Sequence, residues 1–187
     1  RFIKDLIKVD GFIFKSRSPT MGVKNIKVYS GMKGSPVVEK CGGFFADKVV
    51  QRYNGYPIEE EDRLRNKKIR EHFFTKLFLF ARFREGAEKE DIKGFHERNK
   101  LLLKFYNKEI FSELDKETNL DKYLKFMKII MQKPPSKENI MLFFRKLLKD
   151  DAYTKILLTK YEDNKIGLDA LKEISRYAIH DKVMLEQ

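Results

Sequence analysis

The spacing of hydrophobic positions changes along the chain, and the change predicts two kinds of structure. A short apolar run at residues 12–14 is typical of a buried strand, and Ile26, Val28 and Tyr29 indicate a second strand. From about Asn66 onward, apolar residues recur every three or four positions, which predicts helices almost to the end of the sequence. The pattern therefore predicts an α+β fold that is mostly α, with a small N-terminal α/β portion of about two strands followed by a helical domain.

Turn-forming residues and helix signals divide this pattern further. Residues 31–43 carry four glycines and one proline and are predicted to be the loosest segment. Pro134-Pro135 ends one helix, and Ser136 is the expected N-cap of the next. We predict a boundary near Gly86, between an α/β portion (residues 1–86) and a helical domain (residues 87–187). Apart from the helical region that begins near Asn66, helices are predicted at residues 1–8, 44–53, 120–131, 136–148, 152–161 and 168–185.

Composition excludes several classes of protein. A chain of 187 residues with 16 Phe and 8 Tyr is too rich in aromatics to be disordered. The single cysteine, Cys41, excludes a disulfide scaffold, and no apolar run approaches the roughly 18 residues needed to cross a membrane. Because no signal-peptide pattern is present either, we expect a cytoplasmic protein without a membrane partner.

The formal net charge of +12 is unevenly distributed. Residues 1–86 hold 19 Lys and Arg against 10 Asp and Glu, whereas residues 87–187 hold 21 against 18. An excess of cations attracts polyanions such as nucleic acid. A solvated lysine-rich surface explains the same excess equally well, so charge alone leaves both interpretations open.

Two polar segments in the first half are candidates for chemistry. Residues 16–22 form a loop after the first strand, with two serine hydroxyls and nearby cations that could hold an anion. The acidic run at residues 59–62 could supply a general acid or a cation site. The basic residues that follow it favour instead the charged first turn of a helix. No zinc-ligand spacing, Walker loop or dinucleotide-binding glycine motif occurs.

One predicted helix could also grip a phosphate backbone. His96, Lys100 and Lys104 lie on one helical face, with Asn99 beside them. A solvated face opposite an apolar one explains the same spacing, and the residues alone do not decide between the two.

The N-terminal motifs resemble those of the TudS-type thiouracil desulfidases. Residues 11–23, GFIFKSRSPTMGV, look like that family's block GFILKSRSPSCGV. Three further segments are similar in order and spacing: residues 41–46 to GxGLFA, residues 57–64 to LPVEEEGRL, and residues 69–73 to LRENF.

The second half resembles the YbgA-like helical domain that is often fused behind this desulfidase domain. Residues 95–103 are similar to FHTRHKYLLL, residues 140–146 to IMGYFKK, and residues 161–187 to the closing segment. Such fusions are similar to the RudS-type enzymes. The resemblance implies a [4Fe-4S] cluster that takes sulfur from thiouridine in tRNA, and a helical domain that holds the RNA.

The resemblance also implies which catalytic parts are absent from these residues. The family binds its cluster through three cysteines, one of which corresponds to Met21. The other two cysteines and the catalytic glutamate belong to the part upstream of the matched blocks. Ser18, with Ser16 nearby, is the remaining catalytic candidate, and His and Gly of the helical motif are replaced by Asn139 and Leu142. We therefore expect no metal ligand and no cofactor in this chain.

Three hypotheses about function follow. The first is a desulfidase relative that binds RNA, tRNA in particular, without the iron–sulfur chemistry. The second is an active desulfidase whose N-terminal part lies elsewhere, and the third is a helical protein-interaction module. For the first, the expected RNA contacts are Lys15, Arg17, Arg63, Arg65, Lys67, Lys68, Arg70, His96, Asn99, Lys100 and Lys104.

Overall fold

The structure, a computed structural model, describes residues 6, 8–147, 152–165, 167, 168 and 170. Within them the strands are β1 (Phe12–Phe14), β2 (Ile26–Tyr29), β3 (Val37–Cys41) and β4 (Ile58–Glu60). The helices are α1 (Phe44–Arg52), α2 (Lys67–Glu88), α3 (Ile92–Tyr106), α4 (Lys108–Leu114), α5 (Leu120–Ile130), α6 (Lys137–Leu147) and α7 (Ala152–Glu162), with a 3-10 turn at Arg63–Arg65. The helices predicted at residues 1–8 and 168–185 lie mostly outside the described residues.

The predicted fold class is confirmed, since helices dominate and the strands form only two small sheets. The expectation of about two strands is wrong, because the described residues contain four. β1 pairs with β4 in parallel, and β2 pairs with β3 in an antiparallel hairpin. The two additional strands lie where the sequence pattern predicts a loose segment and an acidic helical turn.

The β2–β3 hairpin explains the first of these errors. Almost every residue of both strands is exposed, so neither strand shows the alternation of apolar and polar residues that marks a buried face. β3 nevertheless pairs in register with β2, with Ile26 opposite Cys41 and Val28 opposite Glu39. Its two valines favour an extended backbone, but the glycines on either side are typical of a loop and outweigh that signal in the sequence.

The β1–β4 sheet packs on α1 around a small core. Phe14, Ala46 and Val49 are buried there, and Phe12 and Met21 lie against them. At the entrance to β1, a Cβ on Gly11 would lie 2.7 Å from the carbonyl oxygen of Pro57, so the close approach of the two segments requires glycine.

A larger helical core is formed by α2 to α5. Twelve buried residues make it, including Leu79, Phe80 and Phe83 of α2. The predicted boundary at Gly86 therefore lies inside α2, whose residues before that point already belong to the helical core. Arg84 of α2 also donates two hydrogen bonds of 2.9 Å to the carboxylate of Asp10, just before β1. The helix thus holds the N-terminal segment against the helical core.

Short polar side chains begin most of the helices. The Asn66 side chain accepts hydrogen bonds from the backbone N–H groups of Lys68 and Ile69, and Asp91, Asn107 and Asn119 cap α3, α4 and α5 in the same way. The predicted cap at Ser136 is confirmed, because its Oγ accepts a hydrogen bond of 3.1 Å from the N–H of Asn139.

Candidate functional site

The serine loop (residues 16–22) is closed by carboxylates rather than open to an anion. The Ser16 backbone N–H donates a hydrogen bond of 2.6 Å to Glu61, and its hydroxyl donates to Asp62 at 2.7 Å. Lys15 Nζ donates to Glu61 at 2.7 Å. An anion at Ser16 would have to displace both carboxylates.

Ser18 forms hydrogen bonds within the serine loop. Its Oγ accepts a hydrogen bond of 3.2 Å from the Met21 N–H, and its carbonyl oxygen accepts one of 2.8 Å from Gly22. The two catalytic candidates, Ser16 and Ser18, are therefore near each other in the loop, and both hydroxyls have structural partners.

The acidic run does not form the first turn of a helix. It ends strand β4, and Glu61 and Asp62 then accept hydrogen bonds from Lys15 and Ser16, a set of contacts that we call the clasp. Glu60 lies in β4, is 8% exposed, and accepts a hydrogen bond of 2.7 Å from the Val23 N–H. Glu61 and Asp62 follow the strand and hold the serine loop. The prediction of a charged helical turn is therefore wrong, because contacts with residues 37 and 45 positions away in the sequence decide the local structure.

The clasp should be visible in the titration of Glu61. Hydrogen bonds from Lys15 and from the Ser16 backbone lower the pKa of Glu61 from 4.5 to about 2. A lowered folded-state pKa stabilises the fold fully above about pH 4.5, and this contribution is lost as pH falls through about 2. In an NMR titration, we expect the Ser16 amide resonance to stay constant through pH 4.5 and to shift only as pH nears about 2. The Glu61→Gln variant should show no such shift, and a wild-type midpoint at the ordinary glutamate pKa would contradict the clasp.

Met21, which the resemblance aligns with a cluster cysteine, packs as an apolar side chain. It lies partly buried against the small core of Phe14, Ala46 and Val49. Cys41 is partly buried in the β2–β3 hairpin. The described residues contain no group of three or more His, Cys, Asp or Glu side chains placed to hold a metal ion. With one cysteine in the sequence, these side chains do not fit the thiolate ligand set of a [4Fe-4S] cluster.

Four of the predicted RNA-contacting cations are engaged in ion pairs. Lys15 pairs with Glu61, Arg17 and Arg65 lie 3.6 Å from Asp62, and Arg63 pairs with Glu59 at 2.6 Å. Lys67, Lys68 and Arg70 are exposed in the first turn of α2. The predicted basic cluster therefore divides into ion-paired residues before α2 and exposed cations in the first turn of α2.

The predicted phosphate-binding face of α3 is mostly occupied by protein contacts. His96 has Tyr123 OH at 3.0 Å from one ring nitrogen and Asp115 Oδ1 at 2.9 Å from the other. Asn99 is 4% exposed and Lys100 pairs with Glu97. Lys104 is exposed, with its Nζ 5.7 Å from the centre of the Phe111 ring. His96 is therefore covered by Asp115 and Tyr123, and Asn99 is buried where α3 meets α2, so neither side chain lies on an open face.

A feature that the sequence pattern did not reveal runs along α2. Arg70, Phe74, Phe78 and Arg82 follow one another every four residues, and all are exposed. We call this set the α2 stripe. The rings of Phe74 and Phe78 lie 6.3 Å apart with 28° between their planes, and Phe78 is 59% exposed. Among the described residues neither arginine has a carboxylate partner.

In the sequence, the α2 stripe is indicated by two pairs of adjacent apolar residues, Phe73-Phe74 and Leu77-Phe78. In each pair the first residue faces inward, and Phe73 is 4% exposed. A helix with apolar residues on adjacent positions presents a second apolar face, and here Phe74 and Phe78 on that face are exposed.

Comparison with known proteins identifies no similar protein. The chain matches no protein-family model, no curated protein and no solved structure. No helix in the described part of the chain is both long enough and apolar enough to cross a membrane.

Proposed function

We propose that this protein binds RNA through the α2 stripe, without carrying out iron–sulfur chemistry. The observation that carries the proposal is the pair of exposed phenylalanine rings between two arginines on one helix. Aromatic side chains on a positively charged surface bind single-stranded bases by stacking, because every base has a π-face. The resemblance to the RudS-type fusions makes tRNA, with its unpaired loops, the expected RNA.

The dimensions of the stripe suit a short single-stranded segment. Arg70 and Arg82 are twelve residues apart on the helix, which separates them by about 18 Å along its axis. At the N-terminal end of α2 the helix dipole also favours phosphates. Bases stack on Phe74 and Phe78 in this arrangement, while the cations at both ends contact the backbone.

An exposed apolar surface could also serve the protein-interaction hypothesis, and the charges distinguish the two. Phenylalanine and arginine are frequent at protein interfaces as well. What favours a polyanion is the charge, because the chain carries a net +12 and the stripe ends in two arginines without carboxylate partners among the described residues. Ser16 and Ser18 have structural hydrogen bonds, so binding is supported better than catalysis.

Removal of both rings tests the proposal. The double variant Phe74→Ala/Phe78→Ala should weaken binding to unmodified tRNA at least about 30-fold in a filter-binding assay, because stacking contributes about 1–3 kcal/mol per base. Phe44→Ala is the matched control, since Phe44 is an even more exposed phenylalanine on a different helix, with Lys48 Nζ 4.0 Å from its ring centre. An equal effect of the control and the double variant would contradict a stacking surface.

The salt dependence provides a second, independent readout. Arg70→Gln should reduce the slope of log K against log salt by about one, because one phosphate contact is lost. Arg63→Gln is the control on the ion-paired part of the basic cluster, where Glu59 already neutralises the guanidinium. A protein that binds tRNA no better than a neutral polymer at low salt would overturn the proposal, and binding of a protein partner to the intact stripe would support the interaction hypothesis instead.

A further inference from the structure

A cavity lies at the junction of α2 and α3, next to the end of the α2 stripe. Its volume is about 390 Å³, which is within the usual range for small-molecule sites, about 300–1,000 Å³. The polar residues that line it are Arg82, Glu85, Lys89, Asp91, Arg98 and Asn99. We call it the junction cavity. Arg82 belongs both to the cavity and to the stripe, so the two surfaces are continuous.

Close packing of the two helices forms the floor of the cavity. Gly86 of α2 is buried, and a Cβ there would lie 3.2 Å from the Cβ of Phe95 in α3. The backbones therefore approach closely below the cavity, and the polar side chains surround its opening. Such a floor is rigid, which favours a ligand of fixed shape.

Asn99 is the residue that indicates a ligand. It is 4% exposed and lines the junction cavity, and its amide nitrogen donates a hydrogen bond of 2.8 Å to the carbonyl oxygen of Phe95. Its side-chain oxygen has no hydrogen-bond donor among the described residues. None of the fully enclosed side-chain oxygens and nitrogens described lacks a partner, so the Asn99 oxygen keeps access to the cavity. The oxygen is therefore available to accept a hydrogen bond from a ligand N–H or O–H in the cavity.

The charges around the cavity are only partly neutralised within the protein. Asp91 pairs with Arg98 at 3.0 Å and caps α3 through the N–H of Gly94. Arg82 and Lys89 have no carboxylate partner in the described part of the chain, and Glu85 has no side-chain partner there. The cavity therefore offers two free cations, one free carboxylate and one amide acceptor.

We propose that the junction cavity binds a single nucleotide of the RNA, with its phosphate at Arg82 and Lys89 and a base N–H donating to Asn99. This inference rests on the proposed function, because the α2 stripe delivers the strand to the cavity through Arg82. A simple anion would use the cations but neither of the acceptors, Asn99 and Glu85. A nucleotide carries both a phosphate and hydrogen-bond donors, so it matches the whole set.

Binding of free nucleoside 5′-monophosphates to the intact protein tests the cavity directly. Titrations followed by NMR should shift the side-chain amide resonance of Asn99, and the affinity for a nucleoside monophosphate should exceed that for inorganic phosphate or for the nucleoside alone. Lys89→Gln should weaken nucleoside monophosphate binding roughly tenfold through the loss of one charge-assisted hydrogen bond. Lys93→Gln, on an exposed lysine of α3 that does not line the cavity, should leave it unchanged.

Asn99→Ser is the second variant, which should reduce the preference for nucleotide over inorganic phosphate. Because Asn99 is buried, Lys89→Gln keeps the test decisive even where the serine variant does not fold. Equal affinity of Lys89→Gln and Lys93→Gln, or an unshifted Asn99 amide, would overturn the inference.

The two proposals fail separately. If tRNA binding depends on Phe74 and Phe78 while nucleoside monophosphates leave Asn99 unshifted, the junction cavity is not a nucleotide site and the RNA-binding surface stands. If nucleoside monophosphates bind the cavity but tRNA affinity does not depend on the stripe, the proposed function fails and the cavity binds free nucleotides.

Discussion

Tyr123→Ala should lower the free energy of unfolding by about 4 kcal/mol, which is large for a single substitution. Tyr123 is 2% exposed in the helical core, and its ring lies parallel to Phe83 at 5.6 Å and edge-on to Phe95 at 6.1 Å. Alanine leaves a cavity among rigid helices and also removes the hydroxyl that lies 3.0 Å from His96. Equilibrium denaturation in urea measures the change.

Two further variants show which part of the effect belongs to the hydroxyl and which to burial of the ring. Tyr123→Phe keeps the ring and should cost about 1 kcal/mol, the usual contribution of one hydrogen bond. Tyr29→Ala removes an exposed tyrosine of β2 and should change stability by less than about 0.5 kcal/mol. The account of the helical core would be contradicted if Tyr123→Ala and Tyr29→Ala unfolded at the same urea concentration.

The same tyrosine explains why the predicted face of α3 is not an open binding surface. Helical spacing correctly places His96, Lys100 and Lys104 on one side of the helix. Asp115 and Tyr123 cover that side at His96, and they are 19 and 27 residues further along the chain than His96. Periodicity describes the helix itself, but the neighbours of a face depend on how later helices fold back.

The predicted elements succeeded where local signals agree and failed where distant contacts decide. The α6 start at Ser136 and the α1 segment could be predicted, because a capping side chain or an apolar period lies in the element itself. β4 could not, since it forms by pairing with β1, about 45 residues earlier in the chain, and Glu60 accepts a hydrogen bond from the Val23 N–H. The α2 stripe was missed for a related reason: adjacent phenylalanines indicate a core, and only the tertiary structure leaves Phe78 uncovered.

Lys76→Met should stabilise the protein at pH 7 by about 3 kcal/mol. Lys76 of α2 is 9% exposed, has no carboxylate partner among the described residues, and lies near Lys128. Burial, followed by the charge of Lys128, lowers the pKa of Lys76 from 10.5 to about 8, so the folded state carries the cost of a desolvated ammonium. Methionine has a similar length and no charge, which removes that cost. Urea denaturation at pH 7 measures the gain.

The dependence of this gain on pH identifies its cause. Between about pH 8 and 10.5 the unfolded chain still binds the Lys76 proton and the folded chain does not, so the stability contributed by this group rises with pH. The advantage of Lys76→Met over the wild type should therefore be largest below pH 8 and should shrink toward pH 10.5. Lys68→Met, on an exposed lysine of the same helix, should stay within about 0.5 kcal/mol of the wild type at every pH. A constant advantage from pH 7 to 10 would show that methionine stabilises α2 by packing alone and that the Lys76 charge costs the fold nothing.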